Sequence, residues 1–299
     1  MITALRRWRD ETGDVTGLDV VRIAIGLLLL HGAVRAAREL AASGYFGDVF
    51  HWPMLPEALV PGRATYAVLV GGLAVLAVLV VVGARAREAL LASAVLGTYV
   101  LSCDRLQFHH NRWALLCTSL LVSLTPCERA TFVGRLGAAS ASAAPIGPLW
   151  AVRLAQLQVS LVYLASSGSK LLDADWRSGQ VLLERFRLSA EQATQAGVPA
   201  GLLAWLSRPD VSSGFAKLAL GTELFLAVGL WLRRTRWVAL AWGVCFHLVI
   251  QVTARVETFS WLMIASYGLF FLPELGALRA RGVAACRLAA TFWARSSRR

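Results

Sequence analysis

A chain of 299 residues has room for one large soluble domain or two small ones, but 57% hydrophobic and only 16% charged residues, with a mean hydropathy of +0.59, exclude both. The formal net charge of +12 suits a nucleic-acid binder, yet the arginines lie between apolar runs, where membrane topology puts them, and nucleic acid is set aside as a partner.

The apolar residues come in long uninterrupted runs. Tyr66 to Gly83 is eighteen residues without a charge, enough for a helix to cross ~30 Å of hydrocarbon. A transmembrane β-barrel would show alternating strands of about ten residues instead. The expected fold class is all-α: a polytopic transmembrane helix bundle of about eight spans, forming a single domain over 1–299. Spans are read at 15–37, 66–83, 88–106, 109–126, 149–167, 213–232, 236–254 and 256–272. The first follows a charged segment and lacks a small-residue cleavage site, so it reads as a helix and not as a signal peptide.

The connections follow the positive-inside rule. Residues 1–14 carry Arg6, Arg7 and Arg9, and later turns carry Arg85, Arg87, Arg129, Arg135, Arg233, Arg234 and Arg236. The tail, 277–299, adds Arg279, Arg281, Arg287, Arg295, Arg298 and Arg299 and reads as a basic amphipathic helix on the inner leaflet. With an even span count all of these fall on the cytoplasmic side, together with both termini. Glu39, Asp48, Glu57, Asp173, Asp175, Glu184, Glu191 and Asp210 fall outside. Lys170 and Lys217 are the only lysines; with the abundant Ala this points to a GC-rich bacterial genome and a bacterial cytoplasmic (inner) membrane.

Two external segments exceed a turn. Residues 38–65 hold Tyr45, Phe46, Phe50 and Trp52, and 168–212 contains amphipathic pieces such as Val181 to Leu188 that suit the outer interface. The link 137–148 reads as a flexible small-residue connector. Five cysteines form no CxxC pair and serve as apolar packers. His109 and His110, adjacent on a helix and about 100° apart, are a poor chelate, and no metal site is expected.

Ionisable side chains inside a bilayer cost about 2.5–3.5 kcal/mol each on insertion scales, so each needs a partner or a cavity. The first span has Arg22 and His31. The fifth has Arg153, Gln156, Ser160, Tyr163 and Ser167, whose offsets of 3, 7, 10 and 14 put all five on one face leading to Lys170. Glu223 lies mid-way along the sixth span, His247 and Gln251 one turn apart on the seventh, and Glu257 and Ser260 open the eighth. Two readings compete. One is interhelical glue, with Arg22 or Arg153 paired to Glu223. The other is a polar cavity lined by His247, Gln251, Glu223 and the fifth-span stripe, where a buried His near a Glu handles protons.

The run RLAQLQVSLVYLASSGSKLLDADWRSG (153–179) resembles the signature of the horizontally transferred transmembrane domain, the membrane part of vitamin K-dependent γ-glutamyl carboxylase. Three further pieces agree in order: LDVVRIAIGLLLLHG (18–32), FHHNRWALLCTSLLVSLTP (108–126) and FHLVIQVTARVETFSWLMIASYGLFFLP (246–273). The resemblance implies an enzyme that oxidises a reduced quinone and uses the resulting base to remove a proton from a peptide glutamate. Lys170 matches the first lysine of a family pair, and Leu171 stands where the second, the assigned base, would be. His247 matches the family histidine of the later FH motif, and another family histidine falls on Asn111. Leucine cannot move a proton, so glutamate carboxylation is not carried over. The chain is also similar to short bacterial members in the sporulation-delaying peptide-toxin system.

The expectation is a membrane-embedded enzyme acting on a peptide or lipid-soluble, quinone-linked substrate. Lys170 and His247 are the candidate catalytic residues, and Arg153, Gln156, Tyr163, Asp175, Trp176, Glu223 and Gln251 the candidate substrate-binding ones. A reduced quinone is the candidate cofactor. The alternative is a non-catalytic partner in the maturation, export or immunity of a secreted peptide.

Overall fold

A computed structural model describes residues 8–42, 46, 52–106, 108–130, 146–195, 197, 199–254 and 256–278. The protein is all-α. The exception is a two-stranded antiparallel pairing of β1 (Thr12–Asp14) with β2 (Ile146–Pro148), in the register Thr12 to Pro148. The expected connector 137–148 thus ends in a strand; its earlier residues lie outside the described ones, as do residues 279–299 of the tail.

Helices fall on each predicted apolar run: α1 (Leu18–Ala41), α2 (Arg63–Val82), α3 (Ala86–Ser102), α4 (His110–Ser123), α5 (Trp150–Leu172), α9 (Pro209–Gly229), α10 (Arg236–Ala254) and α11 (Phe259–Tyr267). Three short helices, α6 (Ala174–Ser178), α7 (Gln180–Gln195) and α8 (Ala200–Leu206), occupy the long segment between α5 and α9. Among the described residues, α1, α2 and α9 are long and apolar enough to cross a membrane, and a fourth candidate is the pair Phe259–Phe270 and Leu272–Leu278, bent by 93°. The others are shorter or more polar. At 1.5 Å per residue the 14 residues of α4 cover only about 21 Å, against ~30 Å of hydrocarbon.

Two compact units arise, one from residues 1–155 with 268–299 and one from 156–267. In the first, Gly83 takes the left-handed conformation (φ 84°) that closes α2. Arg22, fully buried, donates to the carbonyls of Val80 and Val81 at the same end. A helix leaves its last four carbonyls without intrahelical donors and carries a partial negative charge there, so a guanidinium suits the position. This explains an arginine inside the first apolar run. Arg153 binds Glu11 at 2.7 Å. The Arg153 hydrogen bond holds the Glu11 carboxyl below the usual carboxylate range, against the opposing effect of burial.

The second unit is clasped by polar contacts. Ser160 donates to the Ala227 carbonyl (2.8 Å) and accepts from the Trp231 indole (2.7 Å), while Trp242 donates to Thr222 (2.9 Å). Such bonds between membrane helices contribute about 0.6–2 kcal/mol each. At Ser160 these bonds have the form of interhelical glue.

Candidate functional site

The stripe on α5 decides what the second unit places inside. Gln156, Ser160, Tyr163 and Ser167 are buried, whereas Leu157, Leu161 and Leu164 on the opposite side are exposed. This inverts the order of a soluble helix, as expected where the outer solvent is apolar. The helix does not stop at 167. It runs through Gly168 and ends only before Asp173, whose carboxylate accepts from the backbone N–H groups of Asp175 (2.8 Å) and Trp176 (3.4 Å) and starts α6. Lys170 thus lies inside α5, and the cap carries Trp176 back over it, with the ammonium 4.9 Å from the ring centroid.

Lys170 reaches Glu223 of α9 at 2.5 Å and the Ser166 hydroxyl, one turn earlier on α5, at 2.6 Å. Ser166 in turn donates to the same Glu223 oxygen at 3.0 Å. The cation found at Glu223 among the described residues is therefore Lys170, where Arg22 or Arg153 was expected. The pair is well shielded, the Lys170 side chain being 15% exposed and that of Glu223 7%. The other carboxylate oxygen, Oε2, is buried and has no hydrogen-bond partner among the described residues.

Three rings meet deeper in the same unit. The Tyr163 hydroxyl is hydrogen-bonded to His247 Nε2 at 2.7 Å and to the Tyr267 hydroxyl, and all three residues are almost fully buried. Phe246 and Phe259 stand edge-on to the imidazole, 5.4 and 6.0 Å away between centroids. Gly243 allows this assembly, because a Cβ there would lie 2.5 Å from the Tyr267 hydroxyl oxygen. Gly243→Ala is accordingly expected to displace Tyr267 and lower thermal stability, by about 1–3 kcal/mol as for other overpacked cores. Melting of the purified protein checks it, and an unchanged midpoint would mean the ring has room to move.

The tautomer alternatives define the chemistry. If Nε2 accepts from Tyr163, Nδ1 carries the proton; if Nε2 donates, Nδ1 is a bare acceptor. Two hydroxyls and an imidazole in series permit either state. His247 Nδ1 is itself buried without a hydrogen-bond partner among the described residues, as are Gln251 Oε1, Thr258 Oγ1 and Ser260 Oγ. Buried polar atoms rarely remain unpaired unless a ligand or water completes them.

The matched stretch of family sequence runs through all of these elements: residues 11–274 match the HTTM domain. The chain belongs to the HTTM domain family. Comparison with the curated proteins and with the solved structures returns no match. The apolar helices and the HTTM match together make it a multi-pass membrane protein.

Within this HTTM protein the predicted residues divide. Lys170, Glu223 and Trp176 come together, and so do Tyr163 and His247. Gln251 follows His247 by one turn on α10, with no hydrogen-bond partner for its carbonyl oxygen among the described residues. Gln156 is buried on the stripe, Arg153 is engaged by Glu11, and Asp175 is exposed on α6. Sequence reasoning missed Tyr267 and Ser166. A tyrosine in an apolar run was the available signal for the first, and the spacing of four between Ser166 and Lys170 for the second. Among the described residues no three His, Cys, Asp or Glu side chains gather around a possible metal position.

Proposed function

We propose that this HTTM protein is a membrane-embedded enzyme that transfers a proton to or from a lipid-soluble or peptide substrate. His247 is the acid–base group, Tyr163 and Tyr267 set its proton, and Lys170 with Glu223 forms a second proton-handling pair. The observation that carries this reading is the His247 ring. It is almost fully buried, bonded through Nε2 to Tyr163, with its ring beside Phe246 and Phe259 and Nδ1 without a hydrogen-bond partner among the described residues. A buried ring nitrogen left open in this way is free to meet a ligand or water.

A reduced quinone fits the donor set. His247 Nδ1 and Gln251 Oε1, one turn apart and both without a hydrogen-bond partner among the described residues, offer a donor or acceptor and an acceptor for a quinol hydroxyl. When bound, a quinol supplies reducing equivalents that no side chain can. The residues' own part is to bind the hydroxyl, exclude water with Phe246 and Phe259, and exchange its proton through Nδ1. Leu171, 45% exposed, has no proton to exchange, so glutamate carboxylation is no part of the proposal. The same residue favours the competing reading of a non-catalytic partner in the maturation or export of a secreted peptide.

Mass spectrometry of membranes and secreted peptides from native cells, with and without the gene, separates the two. The enzyme reading expects a species of altered mass that requires the intact protein and disappears in His247→Phe cells. Identical profiles from wild-type and His247→Phe cells would favour the partner reading.

Eight spans in one HTTM domain, with both termini in the cytoplasm of a bacterial inner membrane, complete the proposal, supported by the arginines that flank alternate turns. A reporter fused after Arg299 is expected to be active only in its cytoplasm-sensing form, and one inserted near Gln195 only in its outside-sensing form. The reverse pattern at either site would overturn the span count.

A further inference from the structure

Both lysines of a chain that otherwise uses arginine line a single pocket. It has a volume of about 220 Å³ and is walled by Lys170, Leu171, Trp176, Arg177, Lys217 and Leu220. The carboxylate of Glu223 already neutralises Lys170. Arg177 directs one nitrogen to the carbonyls of Leu171 and Leu172 at the end of α5 (2.8 and 3.2 Å) and keeps its charge. Lys217 is exposed, and among the described residues no hydrogen bond or ion pair falls on it. It also lies two turns inside α9, one of the helices apolar enough to cross a membrane. A charge within such a helix marks a ligand or interface position by default. Of the acidic residues near these cations in sequence, Asp173 caps α6, Asp210 pairs with Arg208 and Glu223 with Lys170, which leaves the exposed Asp175 as the one carboxylate beside them without an ion pair among the described residues.

The surface beside these charges is apolar. Leu171 and Leu172 follow Lys170 and Leu218 follows Lys217, and all three are exposed. Cations at a pocket beside exposed leucines match a molecule with an anionic head and a hydrocarbon tail. We infer that the Lys217–Arg177 pocket binds the phosphate headgroup of an anionic phospholipid, whose chain lies along Leu171, Leu172 and Leu218. Lys170 also walls the pocket, but among the described residues no bond joins Lys217 to the Lys170–Glu223 pair or to the His247 group, so headgroup preference is read apart from the proposed reaction. Arg177 and Lys217 act as charge-assisted donors to phosphate oxygens, and the Trp176 face closes the side next to Lys170.

The test is a titration of the purified full-length protein in detergent with phosphatidylglycerol, phosphatidylcholine or inorganic phosphate. The expected result is a preference of at least about tenfold for phosphatidylglycerol over phosphatidylcholine, lost in Lys217→Gln and kept in Lys217→Arg; a single charge-assisted bond suffices for that ratio. Arg208→Gln, a surface cation beside Asp210 in the same unit, is expected to keep it. A preference unchanged in Lys217→Gln, or one lost equally in Arg208→Gln, would overturn the site. Displacement of the lipid by millimolar inorganic phosphate would assign the cations to a soluble anion instead. Because Lys217 is exposed and unbonded among the described residues, Lys217→Gln is expected to melt with wild type, which keeps the binding result interpretable.

Discussion

Replacing Glu223 by leucine is expected to destabilise the helix bundle by about 3–5 kcal/mol, the usual cost of leaving one member of a buried ion pair without its partner. The magnitude applies because both side chains are shielded, 15% and 7% exposed, and because the carboxylate also receives the Ser166 hydroxyl. Glu223→Gln keeps the shape and an acceptor oxygen for Lys170 and Ser166, so it is expected to lose much less. Adding Lys170→Met to Glu223→Leu removes the stranded ammonium and is expected to restore most of the stability. Melting of the four proteins in one detergent checks the series. Equal midpoints for Glu223→Leu and Glu223→Gln would remove the pairing from the account.

His247→Phe is expected to leave the protein inserted and folded while product formation falls about 10²–10⁴-fold, the usual contribution of a positioned acid–base group. Phenylalanine is chosen because the ring's neighbours, Phe246 and Phe259, accept an aromatic side chain. Lys170→Arg is expected to fall as well, since arginine keeps the charge beside Glu223 but does not give up a proton near neutral pH. Product per mole of inserted protein, in the species found by comparing cells with and without the gene, is the quantity to measure. Full activity in Lys170→Arg would reduce that residue to a fixed positive charge.

The helices were legible because a bilayer demands long apolar runs, and these stand out without any knowledge of neighbours. Their ends were less so. α1 continues to Ala41, past the apolar run, on polar residues that support one another: Arg35 and Glu39, four apart, pair at 3.1 Å. α5 likewise runs on to Leu172 until the Asp173 cap. The strand pairing of Thr12–Asp14 with Ile146–Pro148 left no trace, since three residues are too few for a period of two to show. For the candidate site, the fifth-span stripe was readable from spacing alone. Which cation meets Glu223 was not, because partners 53 residues apart are chosen by packing and not by any local pattern. Tyr267 escaped for the same reason. Arg22 was readable as a polar residue in the wrong place, but its role depends on the carbonyls of another helix.

The central claim is that Tyr163 and His247 act as one proton-handling unit, and the most direct measurement is product formation in Tyr163→Phe, His247→Phe and the double variant at equal levels of folded protein. Residues that act as a unit lose their contribution together, so the double variant is predicted to be no slower than His247→Phe alone. Losses that multiply, or a His247→Phe protein as active as wild type, would contradict it.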